Sequence, residues 1–131
     1  MSEELRVPEG ASREEVYEAI LPQIEGVMSG VDDLIANLAN IAAILKQAFD
    51  VHWVGFYRAT SPKLLMLGPF QGPLACVTIP FDKGVCGAAA ATQNTIIVED
   101  VDQFPGHIAC SSLSKSEIVV PLVAGGETKL V

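Results

Sequence analysis

Three cysteines, Cys76, Cys86 and Cys110, stand in "GPLAC" (72–76), "GVCG" (84–87) and "FPGHIAC" (104–110), and the chain has no others. Each sits among glycines and prolines. A thiol does chemistry only when it has thiolate character and can be reached. Cys86 lies at the expected start of a short helix, where amide dipoles can lower a thiol pKa. Cys110 follows His107 by three residues and precedes Glu117 by seven, and a nearby imidazolium or helix end would favour its thiolate. Cys76 opens an expected short strand beside a Gly/Pro-rich link, a place from which one thiol can reach another. From the residues alone three roles stay open. Cysteine often does no more than pack. Cys76, Cys86, Cys110 and His107 would make a Cys₃His zinc set, but nine and 23 residues separate successive cysteines, without the usual close CxxC pair. Redox chemistry is the third. Glu117 reads equally as a surface carboxylate, and Trp53 and Tyr57 as core aromatics.

The rest of the chain must position these groups. Its 131 residues, half of them apolar, suffice for one domain with a real core. No run of 18 apolar residues occurs, so no transmembrane helix is expected. The opening "MSEELRVPEG" lacks the basic and apolar regions of a signal peptide, and a cytoplasmic location is expected. The net charge of −8 is concentrated in residues 1–50, which hold ten acids against three bases. That face suits neither nucleic acid nor an anionic membrane. A cytoplasmic location and an odd number of cysteines argue against a structural disulfide framework.

Residues 1–11 read as a frayed arm and 12–131 as a single domain. "SREE" (12–15) is a capping box that starts a helix, which Pro22 should kink or divide. "DLIANLANIAAILKQAF" is a second helix with Leu34, Ile35, Leu38, Ile41, Leu45 and Phe49 as one apolar stripe. Strands are expected at "VHWVGFYR" (51–58), "KLLMLG" (63–68), "ACVTIP" (75–80), "TIIVED" (95–100) and "SEIVVPLV" (116–123). On the first, alternation puts Trp53, Gly55 and Tyr57 on one face. "GPFQGP" reads as a link, "GVCGAAAATQ" (84–93) as a short helix, 101–115 as a loop, and "TKLV" (128–131) as a strand beginning. The class is α+β: an antiparallel sheet, two N-terminal helices on one face and a short helix inserted between strands.

The segments "HWVGFYR", "LGPFQGPLAC", "KGVCGAAA", "VEDVDQFPGHIAC" and "SKSEIVVPL" occur in that order. Together they resemble the free methionine-(R)-sulfoxide reductases, small stand-alone GAF-domain proteins. The likeness covers about residues 34–123 and includes all three cysteines. It implies thiol-dependent reduction of free methionine-(R)-sulfoxide. Cys110 is then the attacking thiolate, and Cys76 the resolving cysteine, with Cys86 as an alternative or relay. Glu117 is the carboxyl group at the substrate, and Trp53 walls the methyl pocket with Tyr57 beside it. No metal or other cofactor is implied. An external dithiol such as thioredoxin and a homodimer are. The chemistry suits these residue types. A sulfoxide oxygen leaves only when protonated, so a carboxylic acid is needed near the attacking thiolate. The resulting sulfenic acid condenses with a second thiol to a disulfide, which a dithiol reopens by exchange.

The chain departs from that family in three places. Asp82 stands where many members have glycine, and Ser111 where the family usually has an aspartate. After "GGE" the family continues with an Asp-bearing strand of "LDIDS" type, so that strand and a C-terminal helix are expected to be missing. A GAF module that binds a small molecule or senses redox state without catalysis is the alternative function.

Overall fold

The structure is a computed structural model that describes residues 4–106 and 114–131. Its elements run α1 (Arg13–Met28), α2 (Leu34–Phe49), β1 (Val54–Ser61), β2 (Leu64–Gln71), β3 (Thr78–Pro80), α3 (Gly84–Thr92), β4 (Ile96–Val98), a 3₁₀ turn (Val101–Gln103), β5 (Glu117–Val119), β6 (Leu122–Ala124) and β7 (Glu127–Leu130). The class is α+β, with three α-helices and an antiparallel five-stranded sheet ordered β3-β2-β1-β7-β6 among the described residues. Strands β4 and β5 form a separate two-stranded sheet. No helix among the described residues is long and apolar enough to cross a membrane.

The chain divides into two compact units, Met1–Gly55 with Pro69–Gly72, and Phe56–Gly68 with Pro73–Val131. The first is a helical pair. Ser12 accepts from the Glu15 amide and Glu15 reaches back to the Ser12 amide, the expected capping box. Pro22 does not divide α1, which is continuous through it. Its missing donor would have served the carbonyl of Glu18, and both residues are exposed, so water can satisfy that carbonyl. Val16, Ile20 and Ile44 are the buried centre of this unit. Ile20 is fully buried, a contribution of roughly 2–3 kcal/mol.

The stripe expected on α2 is only partly buried. Leu38 is inside, but Leu34 and Ile35 are about half exposed, and the buried positions shift to Ala42 and Ile44. The N-terminal arm is also not frayed where it is described. Leu5, Val7 and Ala11 pack on the helical core. The Gln23 side chain holds both backbone groups of Arg6 at 2.8 Å.

In the second unit the register is antiparallel throughout, with Leu65 opposite Ile79 and Arg58 opposite Leu130. Strand β7 lies between β1 and β6 and pairs with both. The expected strand over 116–123 is two strands in different sheets: β5 pairs with β4, and β6 with β7. Pro121 stands at the break, where it has no amide to give a ladder.

Candidate active site

Four of the residues singled out by chemistry fall in the second unit: Tyr57, Cys76, Cys86 and Glu117. Tyr57 is on β1 and only 5% exposed. Its backbone is clamped to β7's end, donating to the Val131 carbonyl at 3.0 Å and accepting from the Val131 amide at 2.9 Å. Its hydroxyl donates to the Cys76 carbonyl at 2.8 Å. Burial, then the charges of Cys86 and Glu117, push the phenol up to about 12. The group therefore keeps its proton, and its donor role, at any physiological pH.

Helix α3 carries Cys86 and begins where the sequence places it. Two glycines make that possible. Gly84 opens the helix at φ +64°, a left-handed conformation that costs a side chain strain. Gly87 lies so near the end of β3 that a Cβ there would stand 2.3 Å from the Pro80 carbonyl oxygen. The helix start was expected to lower the Cys86 pKa. Its surroundings do the opposite: burial first, and then the Glu117 charge, push the thiol up to about 12. Cys86 is a free thiol, half-buried, and stays protonated at neutral pH.

Glu117 opens β5 as expected, opposite Val98 of β4, and is partly buried. Its charge is felt by both Tyr57 and Cys86, so the three groups share one electrostatic neighbourhood. The chain leading toward the "GHIAC" segment is tied to the same helix. The Gly84 amide donates to the Gly106 carbonyl at 3.1 Å, and the Val101 amide to the Lys115 carbonyl at 2.9 Å. His107, Cys110 and Ser111 lie outside the described residues.

Cys76 was expected to open a strand. It lies instead in the connection 72–77, and β3 begins at Thr78. Cys76 is disulfide-bonded. Trp53 belongs to the first unit, just before β1. Its ring stacks on Phe70 at 5.5 Å between centroids and 17° between planes. Gly55 and Gly72 leave the room this requires, since a Cβ at either would lie within 3.0 Å of Trp53. Among the described residues no three His, Cys, Asp or Glu side chains come together as a metal site.

Two features of this arrangement were not foreseen: the Tyr57–Cys76 hydrogen bond and the Gly84–Gly106 bond. Both join residues distant in sequence, and no periodicity signals them. The motif glycines were the available hint for the second.

The model of the GAF domain matches residues 33–129. The chain belongs to the GAF-domain family. It is 56% identical over 126 residues to GAF domain-containing protein A of Dictyostelium discoideum, covering 96% of this chain and 79% of that one. It is 45% identical over 120 residues to the free methionine-R-sulfoxide reductase of Saccharomyces cerevisiae, covering 86% of this chain and 67% of the relative. The free methionine-R-sulfoxide reductase of Neisseria meningitidis, solved in complex with its substrate, superposes with a TM-score of 0.90 at 53% identity, over 97% of this chain and 77% of that one. Within the GAF family the chain thus groups with the free methionine-R-sulfoxide reductases.

Proposed function

We propose that this GAF-domain chain reduces free L-methionine-(R)-sulfoxide to methionine by thiol chemistry. The observation that carries this is its likeness, at 53% identity and a TM-score of 0.90, to a reductase solved with its substrate. Cys110 attacks the sulfoxide sulfur as thiolate, and Glu117, as carboxylic acid, protonates the oxygen. The hydroxyl then passes from the substrate sulfur to the Cys110 sulfur as the new sulfur–sulfur bond breaks, which releases methionine and leaves a sulfenic acid. The Cys76 thiol condenses with it, releasing water and forming a disulfide. A dithiol protein of the thioredoxin class reopens that disulfide by exchange. Two electrons and two protons pass to the substrate oxygen, which ends as water.

The state of the other thiols supports Cys76 as the resolving partner. Cys86 is a free thiol and half-buried. A thiol held protonated, as Cys86 is, attacks a sulfenic acid slowly. Trp53 and Tyr57 are taken as substrate-binding residues, and no metal or other cofactor takes part. The enzyme works in the cytoplasm as a homodimer.

The test incubates the protein with racemic free methionine sulfoxide and dithiothreitol and separates both sulfoxide isomers and methionine by chiral chromatography. Loss of the R form alone, abolished by Cys110→Ser, is expected. Failure to form methionine would replace this proposal with a GAF module that binds without catalysis.

A further inference from the structure

The connection between β2 and β3, residues 72–77, carries Cys76. Gly72, Pro73 and Leu74 are exposed, and Leu74 is 88% exposed. Ladder bonding resumes only at Val77, whose carbonyl accepts from the Leu67 amide at 2.8 Å. One residue earlier, the Cys76 carbonyl accepts from the Tyr57 hydroxyl at 2.8 Å. The donor is held rigidly. Tyr57 is buried on a strand flanked by β2 and β7, and its own amide and carbonyl are both bonded to Val131.

We infer that Tyr57 is a positioning residue for the resolving thiol: its hydroxyl holds the Cys76 backbone in place and so steadies that thiol for disulfide formation. This deepens the thiol chemistry proposed above and rests on it. Reaction within one chain is fast and favourable when the two groups are held in near-reactive geometry. Ordering a backbone residue costs conformational entropy, and a hydrogen bond from a rigid strand offsets part of it in advance. Removing the hydroxyl leaves the ring, and hence the packing, in place. It releases the hydrogen bond to the Cys76 carbonyl.

The test is a redox equilibrium that needs no substrate. The reduced protein is equilibrated with glutathione and glutathione disulfide at pH 7.5. The protein dithiol and glutathione disulfide then exchange with the protein disulfide and two glutathione thiols. Acid quenching, alkylation and peptide mass analysis give the fraction of Cys76 in a disulfide. Tyr57→Phe should lower the effective concentration of the protein dithiol about fivefold. Leu65→Val, which shortens a fully buried side chain of the same unit, controls for loosened packing and should leave that equilibrium unchanged. All three chains are compared at a temperature where melting curves show them folded. If Tyr57→Phe matches the wild type, or Leu65→Val falls equally, the positioning role is overturned. If the wild type forms no Cys76 disulfide, the proposed thiol chemistry is overturned, and the positioning role with it.

Discussion

The amide of Gly84 donates to the carbonyl of Gly106 at 3.1 Å, which ties the "FPG" turn to the first residue of α3. Two motifs that lie far apart in sequence, "GVCG" and "FPGHIAC", are thereby joined through their glycines. Neither glycine holds an ordinary conformation: φ is +64° at Gly84 and +76° at Gly106. The thiol of Cys86 stands two residues from this joint.

Substitutions at α3's glycines should separate strain from collision. Gly84→Ala forces a Cβ into a left-handed conformation, at a cost of about 1 kcal/mol. Gly87→Ala drives its Cβ against main-chain atoms of Pro80 and Phe81. Backbone cannot yield as a side chain does, so the cost rises to about 2–3 kcal/mol. Urea unfolding should rank the wild type above Gly84→Ala and Gly84→Ala above Gly87→Ala. Equal stability of Gly87→Ala and wild type would show that α3 does not approach β3 this closely.

Phe70 should matter through Trp53. The two rings stack at 5.5 Å, and Phe70 is what Trp53 leans on. Phe70→Leu keeps an apolar side chain but removes the stacking, which is worth about 1 kcal/mol. If Trp53 walls the methyl subsite, KM for free methionine sulfoxide should rise severalfold while kcat changes less. A drop in kcat at constant KM would remove Trp53 from substrate binding.

How much of this was legible in the sequence depends on the range over which each feature is determined. The capping box at Ser12 and Glu15 and the start of α3 at Gly84 are local, and they stand where the sequence places them. "GPFQGP" (68–73) reads as a link, yet its "GPFQ" is strand. It is the last part of β2, and Gly55 explains why: a Cβ there would stand 2.4 Å from the Phe70 Cβ, so a glycine one strand away makes room for the aromatic ring. That compensation has no local signature. The expected continuous strand over 116–123 failed in the opposite sense. Its apolar run is unbroken, but its halves pair with different partners. For the site, residue types and motif glycines single out Cys76 and Cys86, and the family resemblance adds Glu117. The sign of the Cys86 shift did not follow, because burial and the Glu117 charge, both products of the tertiary fold, set its direction over the helix end.

That sign makes a reactivity prediction. With its thiol pushed up to about 12, Cys86 should resist alkylation. At pH 8 its thiolate fraction is on the order of 10⁻⁴, so iodoacetamide should modify it roughly a thousandfold more slowly than a peptide thiol. Glu117→Gln removes a like charge, which lowers the pKa and should speed the reaction, though burial keeps it slow. Peptide mapping over time on the native protein measures both rates. Modification of wild-type Cys86 at the pace of an exposed cysteine would contradict the burial and charge effects together.

The same groups set the alkaline limit of the fold. Cys86 is raised from 9.0 to about 12, and Tyr57 from 10.0 to about 12. In each case the folded state holds its proton more tightly than the unfolded chain. Between the two pKa values the unfolded chain binds fewer protons, so stability falls as pH rises. The contribution is whole below about pH 9, where both states are protonated. It is lost progressively as pH climbs through 12. The two groups interact, so their losses are not additive, and the combined fall should be on the order of 3 kcal/mol. Urea midpoints taken from pH 8 to pH 11.5 should decline along that window. Cys86→Ala removes one titrating group and also relieves Tyr57 of a like charge, so its decline should be shallower. A Cys86→Ala profile parallel to that of the wild type would mean that the thiol does not titrate in the folded protein as its burial beside Glu117 requires.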